Sequence, residues 1–225
     1  MTNYKFDAII WDCDGVLMDS EVISCTMSVK FFQQYGVKLT LKDYFNRFIG
    51  TKMNFKISTL EKESGIPLSK LITKKDSEKR DKEKLKAFTK DLQATKNIHK
   101  VLKSINLPMA IASGSKPKRL EHTLKLTKLY SFFENKTFSS ELVKNGKPEP
   151  DIFLYAAKQL NVKPEKCLVI EDSTSGIKAA QKAGMTVFAF IGGSHINKEL
   201  KEKIKSLKPN LIFNDMLKLP NLIET

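Results

Sequence analysis

Ile9-Ile10-Trp11-Asp12-Cys13-Asp14-Gly15-Val16 sets an apolar run against two acids one residue apart. The run has the character of a buried strand. Side chains alternate across a strand, so Asp12 and Asp14 leave on one side and Cys13 on the other. Two carboxylates so placed repel each other unless something cationic lies between them, and hard oxygen ligands suit Mg²⁺. A plain polar turn is the alternative, since Asp and Gly are ordinary turn residues. The rest of the chain decides between the two.

Working outward, short apolar runs at Asp7–Trp11, Met109–Ala112, Cys167–Ile170 and Thr186–Phe190 each precede polar or Gly residues, and Leu211–Phe213 reads as a final edge strand. Helical patterns separate them. Such alternation predicts an α/β fold, a Rossmann-like parallel sheet with helices on both faces. Ligands of such sheets bind beyond the carboxyl ends of the strands.

From Met18 to about Phe88 the sequence reads as helices alone. Glu21–Tyr35 stops at Gly36, a C-terminal signal. Thr40 with Asp43 has the spacing of an N-cap for a helix ending near Gly50. Lys52–Ser64 is closed by Gly65, and a fourth helix from Ser69 carries a mixed-charge run, Lys74–Lys84, that reads as a solvated face. The expected organisation is therefore a core over 1–17 and 89–225 with a helical insertion over 18–88.

The 225 residues carry 39 Lys and Arg against 25 Asp and Glu, a net charge of +14. The lysines are spread along the chain without an Arg-rich block or aromatic-basic interleaving, which argues for a general lysine bias over nucleic-acid binding. No stretch approaches the roughly 20 apolar residues of a membrane span. Met1–Phe6 has no apolar h-region, so no signal peptide is expected. Cys13, Cys25 and Cys167 are odd in number, widely spaced and without metal-ligand spacing, which predicts reduced thiols in a cytoplasmic protein.

Three later segments follow strands. Ala112-Ser113-Gly114-Ser115-Lys116-Pro117 offers hydroxyls and backbone N–H groups at a helix start, where anions bind; a simple Ser-capped helix is the plainer reading. Asn145-Gly146-Lys147-Pro148-Glu149-Pro150-Asp151 fixes Lys147 in a stiff turn before an apolar-faced helix, and a fixed ammonium balances phosphoryl or carboxylate charge. Glu171-Asp172-Ser173-Thr174-Ser175-Gly176 supplies a second acidic pair at a strand end, offering metal ligands or a dipole-matched cap. Each segment is modest alone; the ordered set is not.

That set resembles the four motifs of the haloacid dehalogenase superfamily, over essentially the whole chain. The insertion after the first motif is similar to that family's helical cap and places the chain with the phosphoglycolate phosphatase and β-phosphoglucomutase group. Within the cap, Ser20–Cys25, Phe32–Val37 and Phe45–Gly50 are most similar to bacterial 6-phosphogluconate phosphatases. The resemblance implies a Mg²⁺-dependent phosphomonoester hydrolase acting on a small phosphorylated metabolite. It implies Asp12 as nucleophile through an aspartyl-phosphate, and Asp14 as general acid/base with a raised pKa. It implies Mg²⁺ held by Asp12, the Asp14 carbonyl and Asp172, with Glu171 helping directly or through water. Ser113, Gly114, Ser115 and Lys147 would hold phosphoryl oxygens. The cap would choose the substrate and exclude water, with Arg47 and Lys52 as its candidate contacts; helix-end surface cations are the plainer reading of both.

A β-phosphoglucomutase-like isomerase is the nearest rival. Such mutases carry a histidine in the first cap helix, where this chain has Ser24, and no histidine precedes His99. A 5′-nucleotidase is a second rival, and a basic nucleic-acid-binding protein on the same scaffold is a more remote third. A monomer is expected, without membrane or nucleic-acid partners.

Overall fold

A computed structural model describes residues 4–49, 51 and 53–224. Six strands, β1 (Ala8–Trp11), β2 (Met109–Ser113), β3 (Thr137–Ser139), β4 (Cys167–Glu171), β5 (Thr186–Phe190) and β6 (Leu211–Phe213), form one sheet in the order β3-β2-β1-β4-β5-β6. All five pairings are parallel. Every residue of β1 and β4 is buried, which is why both read as unbroken apolar runs rather than alternating ones. The sheet grows from β1 through β2 to β3 on one side and through β4 to β6 on the other. The connection order thus reverses beside β1, where open α/β sheets hold their ligands.

Eleven helices are described: α1 (Glu21–Gln33), α2 (Leu41–Phe48), α3 (Met53–Ser64), α4 (Leu68–Leu71), α5 (Lys74–Asp91), α6 (Ile98–Ser104), α7 (Pro117–Leu126), α8 (Asp151–Gln159), α9 (Thr174–Lys182), α10 (Lys198–Ser206) and α11 (Leu219–Ile223). None is long and apolar enough to cross a membrane.

The chain divides into two compact units, Ser20–Leu92 and the remainder. The α/β unit contains the sheet and α6–α11. The helical unit contains α1–α5 around its own core, in which Phe32, Tyr44, Phe48, Leu60 and Leu68 are almost fully enclosed. Thr40 closes a reciprocal capping box with Asp43 at the start of α2. Within the α/β unit the two chain segments that bracket the insertion lie side by side: Asp19 N donates to Gln93 O at 3.0 Å and Thr95 N to Leu17 O at 3.0 Å.

Three expectations need correction. Thr137–Ser139 is an edge strand pairing with β2, hidden in the sequence because it is three residues long and mostly polar. The single helix expected from Ser69 is two, α4 and α5, because Thr73 and Asp76 form a second capping box that starts α5 afresh. The boundary expected at 88/89 lies instead at 92/93.

Candidate active site

Asp12 follows the last residue of β1 directly and is 7 % exposed. Its Oδ1 accepts from Lys147 Nζ, and the same ammonium donates to Glu171 Oε1 at 2.7 Å. The Lys147 ammonium also lies over the Phe153 ring, 4.9 Å from its centroid, so the first turn of α8 offers it a π face. Burial alone would lower the Lys147 pKa, but the Asp12 and Glu171 charges outweigh it and hold the ammonium above its ordinary value.

Glu171 ends β4 and is fully buried. Its Oε2 accepts from Asp172 N at 2.8 Å, Ser173 N at 2.7 Å and Ser173 Oγ at 2.9 Å. Both oxygens of Glu171, expected as a helper at a metal, accept from protein donors, Lys147 among them. Ser173 serves twice, since its Oγ also accepts from Gly176 N at 3.0 Å to cap α9. A Cβ at Gly176 would lie 1.6 Å from Glu171 Oε1, so only glycine lets the helix approach this carboxylate.

Asp14 is half-buried at the turn after Cys13, and donors meet both its oxygens. Ser115 Oγ donates to Oδ2 at 2.6 Å and Arg119 Nη2 to Oδ1 at 2.6 Å. The Arg119 guanidinium and the Ser115 hydroxyl together fix the position of this carboxyl group at the turn. Ser113, ending β2, is buried, and its Oγ accepts from Ser115 N at 3.1 Å. The Ser115 amide expected to face a phosphoryl group thus has a partner already. Ser139, on the unforeseen β3, donates to Ser115 O at 2.8 Å and braces the Ser-Gly-Ser turn.

Asp172 is 2 % exposed, and its Oδ2 lies 2.8 Å from His195 Nε2. Gly15, at φ +84°, passes so close that a Cβ there would sit 1.9 Å from the same oxygen. Neither His195 nor Arg119 stands out in the sequence. Arg119 is one basic residue among 39, and its partner Asp14 is 105 positions away. The Gly192-Gly193 pair after β5 is the signal that could have drawn attention to His195.

Asp12, Glu171 and Asp172 are three buried acids beside one buried ammonium. Burial, opposed by Lys147 but reinforced by Glu171 and Asp172, pushes the Asp12 carboxyl well above its usual range. Surplus negative charge on oxygen donors is what a hard divalent cation takes. Asp12, Asp172 and the Asp14 carbonyl fit one on that chemistry, although among the described residues no three Asp, Glu, His or Cys side chains already converge on one point.

The profile of the family described as haloacid dehalogenase-like hydrolase matches residues 9–190. The chain belongs to that family. Among these hydrolases, it is 31 % identical to the 6-phosphogluconate phosphatase of Escherichia coli K12 over 97 % of this chain and 95 % of that one. It is also 31 % identical to the phosphorylated carbohydrates phosphatase of Thermotoga maritima, over 92 % and 97 %. A crystal structure of a haloacid dehalogenase-like protein from Agrobacterium tumefaciens superposes with a TM-score of 0.85 at 30 % identity, covering 96 % of this chain and 97 % of that one.

Arg47 belongs to the helical unit, where it pairs with Glu63 and lies 4.7 Å from the centroid of the Phe48 ring. The pair lines a cleft of about 290 Å³ within that unit, which also includes Lys38, Asp43 and Ser64. Lys52 lies outside the described residues.

Proposed function

We propose that the protein is a Mg²⁺-dependent phosphatase of small phosphorylated carbohydrates, 6-phosphogluconate or a similar acid sugar among them, working through an aspartyl-phosphate. The carrying observation is the buried Lys147 ammonium shared by Asp12 and Glu171 at the carboxyl ends of adjacent strands. That arrangement gives a nucleophilic carboxylate and a fixed cation for the phosphoryl oxygens within one hydrogen bond of each other.

In the reading supported by this geometry, Asp12 Oδ attacks phosphorus while the bond from phosphorus to the sugar oxygen breaks. The departing alkoxide takes a proton from Asp14. Water then attacks the aspartyl-phosphate, giving its proton to Asp14, and Asp12 is regenerated. Ser115 and Arg119 would hold Asp14 in place for both proton transfers. Ser113, the Gly114 amide and Lys147 steady the phosphoryl oxygens, and the Ser115 amide would exchange its bond to Ser113 Oγ for one to the phosphoryl group. Asp12, Asp172 and the Asp14 carbonyl would hold Mg²⁺, which neutralises charge between carboxylate and phosphate when bound. Glu171 acts by orienting Lys147. For Arg47 and Lys52 the reading keeps contact with the sugar end of the substrate.

Ser24, at the position where a mutase would carry its histidine, is buried in α1, and Ser20–Leu92 contains no histidine at all. This favours hydrolysis over isomerisation. Three free, buried cysteines suit a reducing compartment, so we place the enzyme in the cytoplasm.

The test is phosphate release from 6-phosphogluconate, hexose phosphates, phosphoglycolate and nucleotides, with and without Mg²⁺, for wild type and Asp12→Asn. Metal-dependent release, fastest on an acid sugar and abolished in the variant, is expected. Release that survives Asp12→Asn overturns the mechanism, and preference for a nucleotide overturns the substrate class.

A further inference from the structure

The imidazole of His195 is fully enclosed, and it is reached by three of the loops that follow parallel strands. Its Nε2 is 2.8 Å from Asp172 Oδ2, on the loop after β4. The glycine of the loop after β1 borders it: a Cβ on Gly15 would stand 2.9 Å from the ring Cε1. Its own loop closes on it as well, since a Cβ on Gly193 would stand 2.7 Å from Cε1 and 2.8 Å from Nδ1. Two backbone stretches without side chains therefore form a slot that leaves the ring little room to move. The loop carrying the ring is tied down as well: Ser194 N and Oγ donate to Asp19 Oδ1 at 3.2 and 2.7 Å.

We propose that His195 is a positioning residue for Asp172, fixing this carboxylate beside Asp12 so that the divalent cation meets its ligands already arranged. The inference rests on the reading of Asp172 as a metal-holding residue. The physical case is one of rotational freedom. An aspartate has two torsions, and its neighbours Asp12 and Glu171 repel it. Left unattached, its carboxylate would turn away from them, and the cation would have to draw it back at a cost in affinity. A ring in a slot of backbone prevents that turn, and outer partners of this kind typically contribute 10–100-fold to metal affinity.

The test measures metal binding directly on the full chain without substrate, by the loss of free Mn²⁺ signal in electron paramagnetic resonance and by Mg²⁺ competition. His195→Leu is expected to weaken Mn²⁺ binding about 10–100-fold. His195→Gln, whose amide N–H can donate to the carboxylate, should recover most of the loss, which lost packing alone would not allow. Should His195→Leu fail to fold, wild type labelled with ¹⁵N-histidine answers the same question. Mg²⁺ is expected to move the ring nitrogens of His195 and leave those of His99 and His122, assigned through His99→Gln and His122→Gln. Unchanged Mn²⁺ affinity in a folded His195→Leu, or ring nitrogens of His195 indifferent to Mg²⁺, overturns the proposal. Wild type that binds neither cation overturns the metal reading itself, a distinct result.

Discussion

Gly176→Ala should damage this enzyme severely, although a glycine-to-alanine change inside a helix ordinarily gains about 1 kcal/mol. Gly176 lies in the first turn of α9, and an added Cβ would stand 1.6 Å from Glu171 Oε1, 1.9 Å from Cδ and 2.6 Å from Oε2. Non-bonded carbons keep about 3.5 Å from their neighbours, so the carboxylate must retreat by roughly 2 Å. It now sits 2.7 Å from Lys147 Nζ and 2.7–2.9 Å from three donors at 172 and 173, and a retreat of that size breaks at least two of these bonds. Each hydrogen bond to a charged group contributes about 1.5–3 kcal/mol. Losing two of them, less the helix gain, leaves a net cost of about 3 kcal/mol. Trp11 is the sole tryptophan and is fully buried in β1, so its fluorescence in a urea titration reports on this unit. At a slope of about 3 kcal/mol/M, the midpoint should fall by about 1 M. With Lys147 no longer held from both sides, kcat should fall about 100-fold, as a 1 Å misplacement can cost. A variant that unfolds at the wild-type urea concentration or above would refute the reasoning.

Lys147→Met leaves Asp12 and Glu171 buried without their cation and should cost about 3–5 kcal/mol of stability as well as phosphate release. Adding Glu171→Gln should restore part of the stability and none of the activity, as urea titration and phosphate assay would show. Arg119→Met removes the cation paired with Asp14 Oδ1 and, by raising the proton affinity of Asp14, should slow the water step more than the first transfer. Rapid mixing would then reveal a burst of sugar alcohol ahead of phosphate, and equal slowing of both would count against a role in holding Asp14. Acidification should loosen the helical unit through its capping boxes. Hydrogen bonds from Thr40 and Thr73 hold Asp43 and Asp76 below their ordinary value of 3.8. Their contribution is therefore complete above that pH and lost as pH falls through the lowered values. The thermal stability of Asp76→Ala should thus trail wild type at pH 7 and converge with it in strong acid; a gap that widens on acidification would reverse the assigned sign.

The central strands were legible because burial on both faces leaves nothing but apolar residues, as Ala8–Trp11 and Cys167–Ile170 show. β3 was not, because three residues at a sheet edge need no such run. Thr73 and Asp76 have the same spacing as Thr40 and Asp43, yet the charged run beyond them reads as one continuous helix. At the site, the acids drew notice because each ends or follows a strand, where a parallel sheet gathers its chemistry, and Lys147 because its stiff turn precedes an apolar-faced helix. What a side chain touches is another matter. Nothing in the spacing of Glu171 tells that Ser173 and Lys147 take up its oxygens. Arg119 gains meaning only when folding brings it to Asp14, and the His195 imidazole only when Gly15 and Gly193 close around it.

The ladder between Leu17–Asp19 and Gln93–Thr95 bears on how such an enzyme could diversify. A whole folded unit enters and leaves the chain through two backbone segments that already bond to each other. A gene segment encoding Ser20–Leu92 could therefore be exchanged for a longer, shorter or unrelated one without moving a residue of the sheet, since loop closure penalises added length only weakly. Asp12, Lys147 and Glu171 would be inherited intact while the inserted unit drifted. Selection could then search substrates by trading modules, with the phosphate chemistry held constant beneath each exchange.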